Sequence, residues 1–355
     1  MIHVIEPTLE SETGHCYSFI YSLCAAAQGY PLRLWIGKKA RVGFTRAGVQ
    51  VENYFSRRVR RLQAFFLYRK LLREEGRIFV ATAGRTDLFL LGGAARGHIP
   101  PGKVYLFFHW FRDSVQKRNY LVRVAKRQKN LNILGSTESV VDIFRACGFE
   151  NTKVVPYPVT PLAAGEVGPA VQFGHLLFAG AARTDKGFGK VVDLLELLAR
   201  LGKSIPVKIQ GSAKHYGKYE SRIREDLHRL TKVNYPYLEM LTDTLTESAY
   251  QALFSGGVCI QPYDVKEFAD RVSGVTLDAL SAGCPVVTLK GTWMARVVEN
   301  SCAGVVIEEA RPEALLAAVE KVISDYLRYR LNASEAGRAL QTENSAGHLF
   351  KVLVS

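Results

Sequence analysis

The sequence predicts an α/β protein made of two doubly wound, Rossmann-like domains. Three observations predict it. Short, nearly all-apolar runs that read as buried strands alternate with longer stretches of helical periodicity. A Pro/Gly/Ala-rich connection at residues 156–169 interrupts that alternation, and the alternation resumes beyond it. No repeat of fixed period relates the halves, so they share architecture rather than sequence. The chain has 355 residues, enough for a well-buried core in each of two domains. The expected division is residues 1–160, residues 161–335 and a C-terminal helical segment, 336–355.

Composition narrows the function classes. Hydrophobic residues make up 48% of the chain and charged residues 23%, which describes a soluble globular protein rather than a disordered one. The opening residues MIHVIEPTLESE have no basic stretch and no long apolar run, so no signal peptide is expected. No run approaches the ~18 apolar residues of a membrane span. The six cysteines lack any C-x-x-C pairing and read as reduced core residues of a cytoplasmic protein, and no metal site is suggested. Net charge is +14, and two stretches hold most of it: residues 56–77 carry eight Arg/Lys against two Glu, and residues 112–129 carry seven against one Asp. An anionic partner is implied: nucleotide phosphates, an anionic membrane surface or nucleic acid. The basic runs match no nucleic-acid module, which ranks nucleic acid last.

In the first half, strands are expected at residues 3–5, 32–36, 78–82, 104–108 and 132–135, with helices at 16–28 and 139–147. Ser136 and Thr137 supply the cap of the second of these helices. The loop after the first strand contains Gly14 at the helix start, where a single glycine also serves as an ordinary turn residue. Residues 55–73, FSRRVRRLQAFFLYRKLLR, form a helix candidate with Phe55, Val59, Leu62 and Phe66 at helical spacing. Arg57, Arg58, Arg60 and Arg61, beside Phe65 and Phe66, are the composition with which a helix seats itself at lipid headgroups. A core-packed helix with a solvated basic face is the competing reading. A second basic helix is expected at 117–129. His109 follows an apolar strand at its carboxyl end, where α/β sheets place ligands, and it also fits a purely structural role.

In the second half, residues 175–179 read as a strand ending in Gly180, and the loop G-A-A-R-T-D-K-G brings Arg183 and Lys186 to the start of a helix at 191–201. A strand at 207–210 ends in Gly211. Residues 245–254 are helical before the strand 258–260. Then comes QPYDVKEFADRVSGVTLDALSAGCPVV, residues 261–287: a strand end, a small-residue loop with Arg271, Ser273 and Gly274, a helix from Val275, a glycine cap and a buried strand. A helix N-terminus with outward amides and an arginine beside it welcomes an anion. Such turns also recur as plain α/β connections. Gly291-Thr292-Trp293 opens another loop, and helices are expected at 312–323, 326–337 and 346–354.

The stretch 261–287 resembles the signature of GT-B glycosyltransferases, in particular the family-four group of retaining, nucleotide-sugar-dependent enzymes. That family has two glutamates eight apart, followed by EA-x-A-x-G-x-PVV. Here Asp270 and Asp278 stand at those positions, each one methylene shorter, and Ala279 through Val287 follow the rest. The resemblance implies two Rossmann-like domains facing a cleft, with the last helix returning to the first domain. It implies that Arg183 and Lys186 hold the donor diphosphate and that amides near Ser273, Gly274 and Val275 bind the β-phosphate. By the same resemblance Asp278 binds the ribose and Asp270 the sugar hydroxyls, while His109 approaches the sugar. Gly14 and Gly211 then face the donor, and Arg271 is a further candidate phosphate contact.

The expected activity is transfer of a sugar from a nucleoside-diphosphate donor to a cell-envelope saccharide or lipid-linked acceptor. It is expected without a cofactor or metal, because fixed cations rather than a D-x-D carboxylate pair stabilise the leaving diphosphate. The implied location is the cytoplasm, at the inner face of the plasma membrane. The competing readings are a nucleotide-sugar epimerase of the same fold and a catalytically degenerate binding or scaffold subunit of a polysaccharide assembly complex.

Overall fold

The computed structural model describes residues 1–12, 15–159, 172–211, 220–243 and 245–355. It divides into two compact units, Met1–Pro161 with Glu343–Ser355 and Leu162–Thr342. The segment that rejoins the first unit is therefore shorter than the 336–355 expected, because the helix before it runs unbroken from Tyr326 to Glu343.

The first unit is built on β1 (Ile2–Glu6), β2 (Leu32–Gly37), β3 (Val49–Phe55), β4 (Arg77–Val80), β5 (Val104–Phe108), β6 (Asn132–Gly135) and β7 (Thr152–Val154). All pair in parallel in the order 3-2-1-4-5-6-7; Val4, for example, sits between Leu34 and Phe79. Helices α1 (His15–Ala26) and α14 (Ala346–Val354) cover one face, where Phe19, Phe79, Leu349 and Leu353 share a core. On the other face lie α2 (Arg60–Leu71), α3 (Arg85–Ala94), α4 (Val115–Arg127) and α5 (Glu138–Ala146). Each fully buried Leu or Phe there contributes roughly 1.5–3 kcal/mol, and the Phe108 and Phe144 rings pack with centroids 4.4 Å apart. The buried Tyr68 hydroxyl donates to Asp87 at 2.7 Å, and Asp87 accepts the Gly84 amide at 2.8 Å, so α2 is tied to the start of α3.

The helix expected over residues 55–73 is corrected at its start. Phe55 is the buried last residue of β3, and the helix begins at Arg60. Its core face is Ala64, Leu67, Tyr68 and Leu71, so Val59, Leu62 and Phe66 lie on the solvent side. Of the cysteines, Cys24, Cys147, Cys259 and Cys284 are buried free thiols, while Cys16 is half-buried and Cys302 exposed, so most of the set lies in the core.

The second unit has β8 (His175–Phe178), β9 (Val207–Gln210), β10 (Leu238–Leu241), β11 (Gly257–Gln261), β12 (Val286–Leu289) and β13 (Gly304–Ile307), parallel in the order 10-9-8-11-12-13. One face packs under α6 (Phe188–Arg200), α7 (Ser221–Lys232) and α12 (Pro312–Ser324). The other packs under α8 (Glu247–Ala252), α10 (Gly274–Ser281) and α13 (Tyr326–Glu343). Two further helices, α9 (Val265–Phe268) and α11 (Trp293–Ser301), follow β11 and β12. At Gly337 of α13 an added Cβ would stand 2.2 Å from the Leu280 carbonyl oxygen, so the two helix backbones touch with no side chain between them. Strand order reverses between β8 and β11, and in such sheets ligands gather beyond the carboxyl ends of the strands at that reversal. Among the described residues no helix is long and apolar enough to cross a membrane.

Candidate active site

The loops leaving β8 and β11 meet at that reversal. A short 3-10 turn, Thr184–Lys186, carries the first loop, and the Asp264 amide of the second donates to the Asp185 carbonyl at 2.9 Å. Arg183, Lys186 and Arg271 are brought together here. The Arg183 guanidinium grips Asp185 through both carboxylate oxygens, Nε to Oδ1 at 2.8 Å and Nη2 to Oδ2. Arg271 Nη1 stands 3.5 Å from the same Oδ2, and its guanidinium lies 4.9 Å from the Phe268 ring centroid. Lys186 turns inward, its Nζ 5.5 Å from the Tyr263 ring centroid and 2.6 Å from where a Cβ on Gly180 would sit. Gly180 adopts φ +96°, and its virtual Cβ also lies 3.6 Å from Val275 of α10, so Lys186 and the first turn of α10 converge on one glycine.

The N-terminus of α10 is built as expected. Ser273 is the N-cap, and its side-chain oxygen accepts the Thr276 amide at 3.3 Å, which leaves the Gly274 and Val275 amides at the helix end. Thr276 in turn donates to Gln261 Oε1 at 2.7 Å and anchors the helix to β11. Among the described residues Gln261 Nε2 and the Tyr263 hydroxyl, both buried beside this turn, lack a well-formed hydrogen bond, although the Tyr263 hydroxyl lies near the Ser273 side chain and Gln261 near Cys259. A buried polar group left without a partner costs about 1–3 kcal/mol.

Electrostatics follow from enclosure. Lys186 is half-buried, and burial followed by the Arg183 charge pulls its pKa down to about 8 while Asp185 pulls it up. Burial also lowers the Arg271 pKa, with Arg183 adding to the effect. A cluster of cations desolvated in this way gains most from an arriving anion. Asp278, one turn into α10, accepts the buried Tyr250 hydroxyl at 3.0 Å. The Asp270 carboxylate pairs with Arg296 of α11 at 2.9 Å, with both side chains about half exposed. Gly211 ends β9 and donates to the Leu241 carbonyl at 2.9 Å. Among the described residues no group of three or more His, Cys, Asp or Glu could hold a metal ion.

In the first unit His109 follows β5. Its Nε2 lies 2.7 Å from the Ala81 carbonyl, and its ring packs against Phe19, Phe107 and Tyr157. Gly14 lies outside the described residues. Glu6, at the carboxyl end of β1 where this sheet reverses, was missed by sequence reasoning. It is buried, accepts from Thr8 and, at 2.5 Å, from Thr82, and burial raises its pKa. The signal was present: a carboxylate closing the apolar strand IHVIE. Arg57, Arg58, Arg60 and Arg61 are exposed along with Leu62 (64%) and Phe66 (62%), and Phe89 of the adjoining α3 is 67% exposed. Phe65 departs from the expected surface pair, since it is half-buried against the core and meets α3 at Gly93.

Comparison with known proteins gives this arrangement a class. Residues 171–340 match the family described as Glycosyl transferases group 1. No curated protein sequence matches the chain significantly. Among solved structures, WaaG, a glycosyltransferase involved in lipopolysaccharide biosynthesis, superposes with a TM-score of 0.70 at 13% identity over 100% of both chains. HepE from Anabaena, solved with UDP and glucose, gives 0.69 at 14% identity over 99% of this chain and 98% of its own. The trehalose-6-phosphate synthase OtsA gives 0.69 at 12% over the same shares. At such identities these structures establish a shared GT-B fold. Residues 171–340, nearly the whole of the second unit, thus match the group 1 glycosyl transferases, and that match supports a transferase.

Proposed function

We propose that this glycosyltransferase takes its sugar from a nucleoside-diphosphate donor, with the diphosphate lodged between Arg183, Lys186, Arg271 and the amides of Gly274 and Val275. One observation carries the reading: three cationic side chains converge on the N-terminus of α10 at the strand reversal of the second sheet. In the reaction the bond from the anomeric carbon to the β-phosphate oxygen breaks, and a bond to an acceptor oxygen forms. The acceptor proton passes to the leaving diphosphate. Negative charge grows on that leaving group, and pre-placed cations lower the barrier without a metal. Asp278, steadied by Tyr250, binds the ribose. His109 and Asp270 serve the sugar, and transfer proceeds with retention. UDP is the first base to test because HepE is solved with it.

The acceptor is a cell-envelope saccharide or lipid-linked glycan, presented at the inner, anionic face of a membrane. The solvent side of α2 and α3, with Leu62, Phe66 and Phe89 between arginines, supports that placement. The testing experiment is calorimetric titration of UDP, GDP, dTDP and ADP into the full chain, with and without EDTA. One diphosphate should bind regardless of EDTA, and Arg183→Ala and Lys186→Ala should each weaken it at least tenfold. Unchanged affinity in both variants sinks the assignment.

A further inference from the structure

Asp185 stands inside the cation cluster, and no part of the proposed transfer uses it. Its carboxylate engages the Nε/Nη2 edge of Arg183, the same forked edge that clasps a phosphate, and its Oδ2 also faces Arg271 at 3.5 Å. The backbone of Asp185 is held at the cluster. The residue belongs to the 3-10 turn Thr184–Lys186, and its backbone carbonyl is held by the Asp264 amide at 2.9 Å. Its side chain is 18% exposed against 44% for Arg183, so the arginine is the partner free to swing.

We propose that Asp185 is a resident counter-anion of this site: it occupies Arg183 and Arg271 until a diphosphate takes them, stays close to the bound diphosphate, and speeds loss of the nucleoside-diphosphate product. The inference rests on the donor reading above. Its chemical logic is one of charge. A sugar-linked diphosphate has two ionised phosphoryl oxygens. The free product exposes a further terminal ionisation, so a fixed carboxylate repels product more strongly than donor. Asp185 also helps keep the Lys186 ammonium protonated against burial and the Arg183 charge. One side chain thereby sets both the occupancy and the charge of the diphosphate cradle.

The test is titration of UDP and inorganic pyrophosphate into the full-length wild type, Asp185→Asn, Asp185→Glu and Arg183→Ala. Asp185→Asn should bind both anions about tenfold more tightly at pH 7, and Asp185→Glu should stay within about twofold of wild type. The alkaline loss of binding in Asp185→Asn should begin at lower pH, because Lys186 loses the charge that holds its proton. Affinity in Asp185→Asn that is equal to or weaker than wild type overturns the inference, provided Arg183→Ala still loses affinity. If wild type binds neither anion, or Arg183→Ala binds like wild type, the donor reading itself fails.

Discussion

Lys186 should lower the stability of the protein it serves. Its pKa falls from an ordinary 10.5 to about 8, so folding disfavours the proton on this ammonium. At 1.36 kcal/mol per unit, that fall amounts to about 3 kcal/mol. The sign follows from linkage. Below pH 8 the lysine is charged in both folded and unfolded chains, and the whole penalty weighs on the fold. Between pH 8 and 10.5 the folded chain releases its proton first, and the penalty fades. Lys186→Met keeps the stem's length and its contact with the Tyr263 ring while removing the charge. The variant should be more stable than wild type by about 2–3 kcal/mol at pH 7, a rise of roughly 4–10 °C in the unfolding midpoint of a unit this size. Near pH 10.5 the advantage should shrink toward zero, and nucleoside-diphosphate stabilisation should vanish at every pH. Differential scanning calorimetry of the full chain at pH 7, 9 and 10.5, with and without UDP, measures all three. A destabilised variant, or one stabilised equally at pH 7 and 10.5, refutes the reasoning.

Two further outcomes follow from the geometry. Replacing Leu62, Phe66 and Phe89 by Ser should cut binding to phosphatidylglycerol vesicles at least tenfold with little change in fold, since all three are mostly exposed; co-sedimentation with no change would leave that face an ordinary solvated surface. Gly180→Ala should cost about 1–3 kcal/mol, because φ is +96° and the new Cβ would meet Lys186 Nζ at 2.6 Å, and it should also weaken diphosphate binding by displacing that ammonium; thermal melts and titration check both.

What the sequence reveals is local. Arg183, Lys186, Ser273 and Gly274 sit in short turns whose chemistry is written in neighbouring residues, and the structure brings their loops together. Asp185, Tyr263 and Gln261 matter because a loop after β8 packs on one after β11, a contact between segments far apart in the chain. The helix α2 shows a different limit. Val59, Leu62 and Phe66 are apolar at helical spacing, but so are Ala64, Leu67, Tyr68 and Leu71, and period alone cannot choose which stripe meets the sheet. Strands β3, β10 and β13 escaped because they are sheet edges. Each is only partly buried; β3 and β10 are broken by polar residues and resemble loop, whereas β13 keeps the apolar run Val305-Val306-Ile307, which sequence reasoning passed over. Helix α3 was masked by Gly92 and Gly93, which lower helical propensity; of the two, Gly93 meets Phe65 of α2.

The bare backbone contact of Gly337 on Leu280 has a mechanical meaning. Side chains between two helices act as bearings, since rotamer changes let one helix slide while the other stays. At Gly337 that padding is absent, and the backbones of α10 and α13 meet directly there. A tilt of α10 would press backbone on backbone against α13 at this point. Helix α13 is the strut through which the chain leaves this unit at Thr342 to rejoin the other. Helix α10, whose first turn faces Lys186, is thus in direct backbone contact with the helix by which the chain leaves this unit.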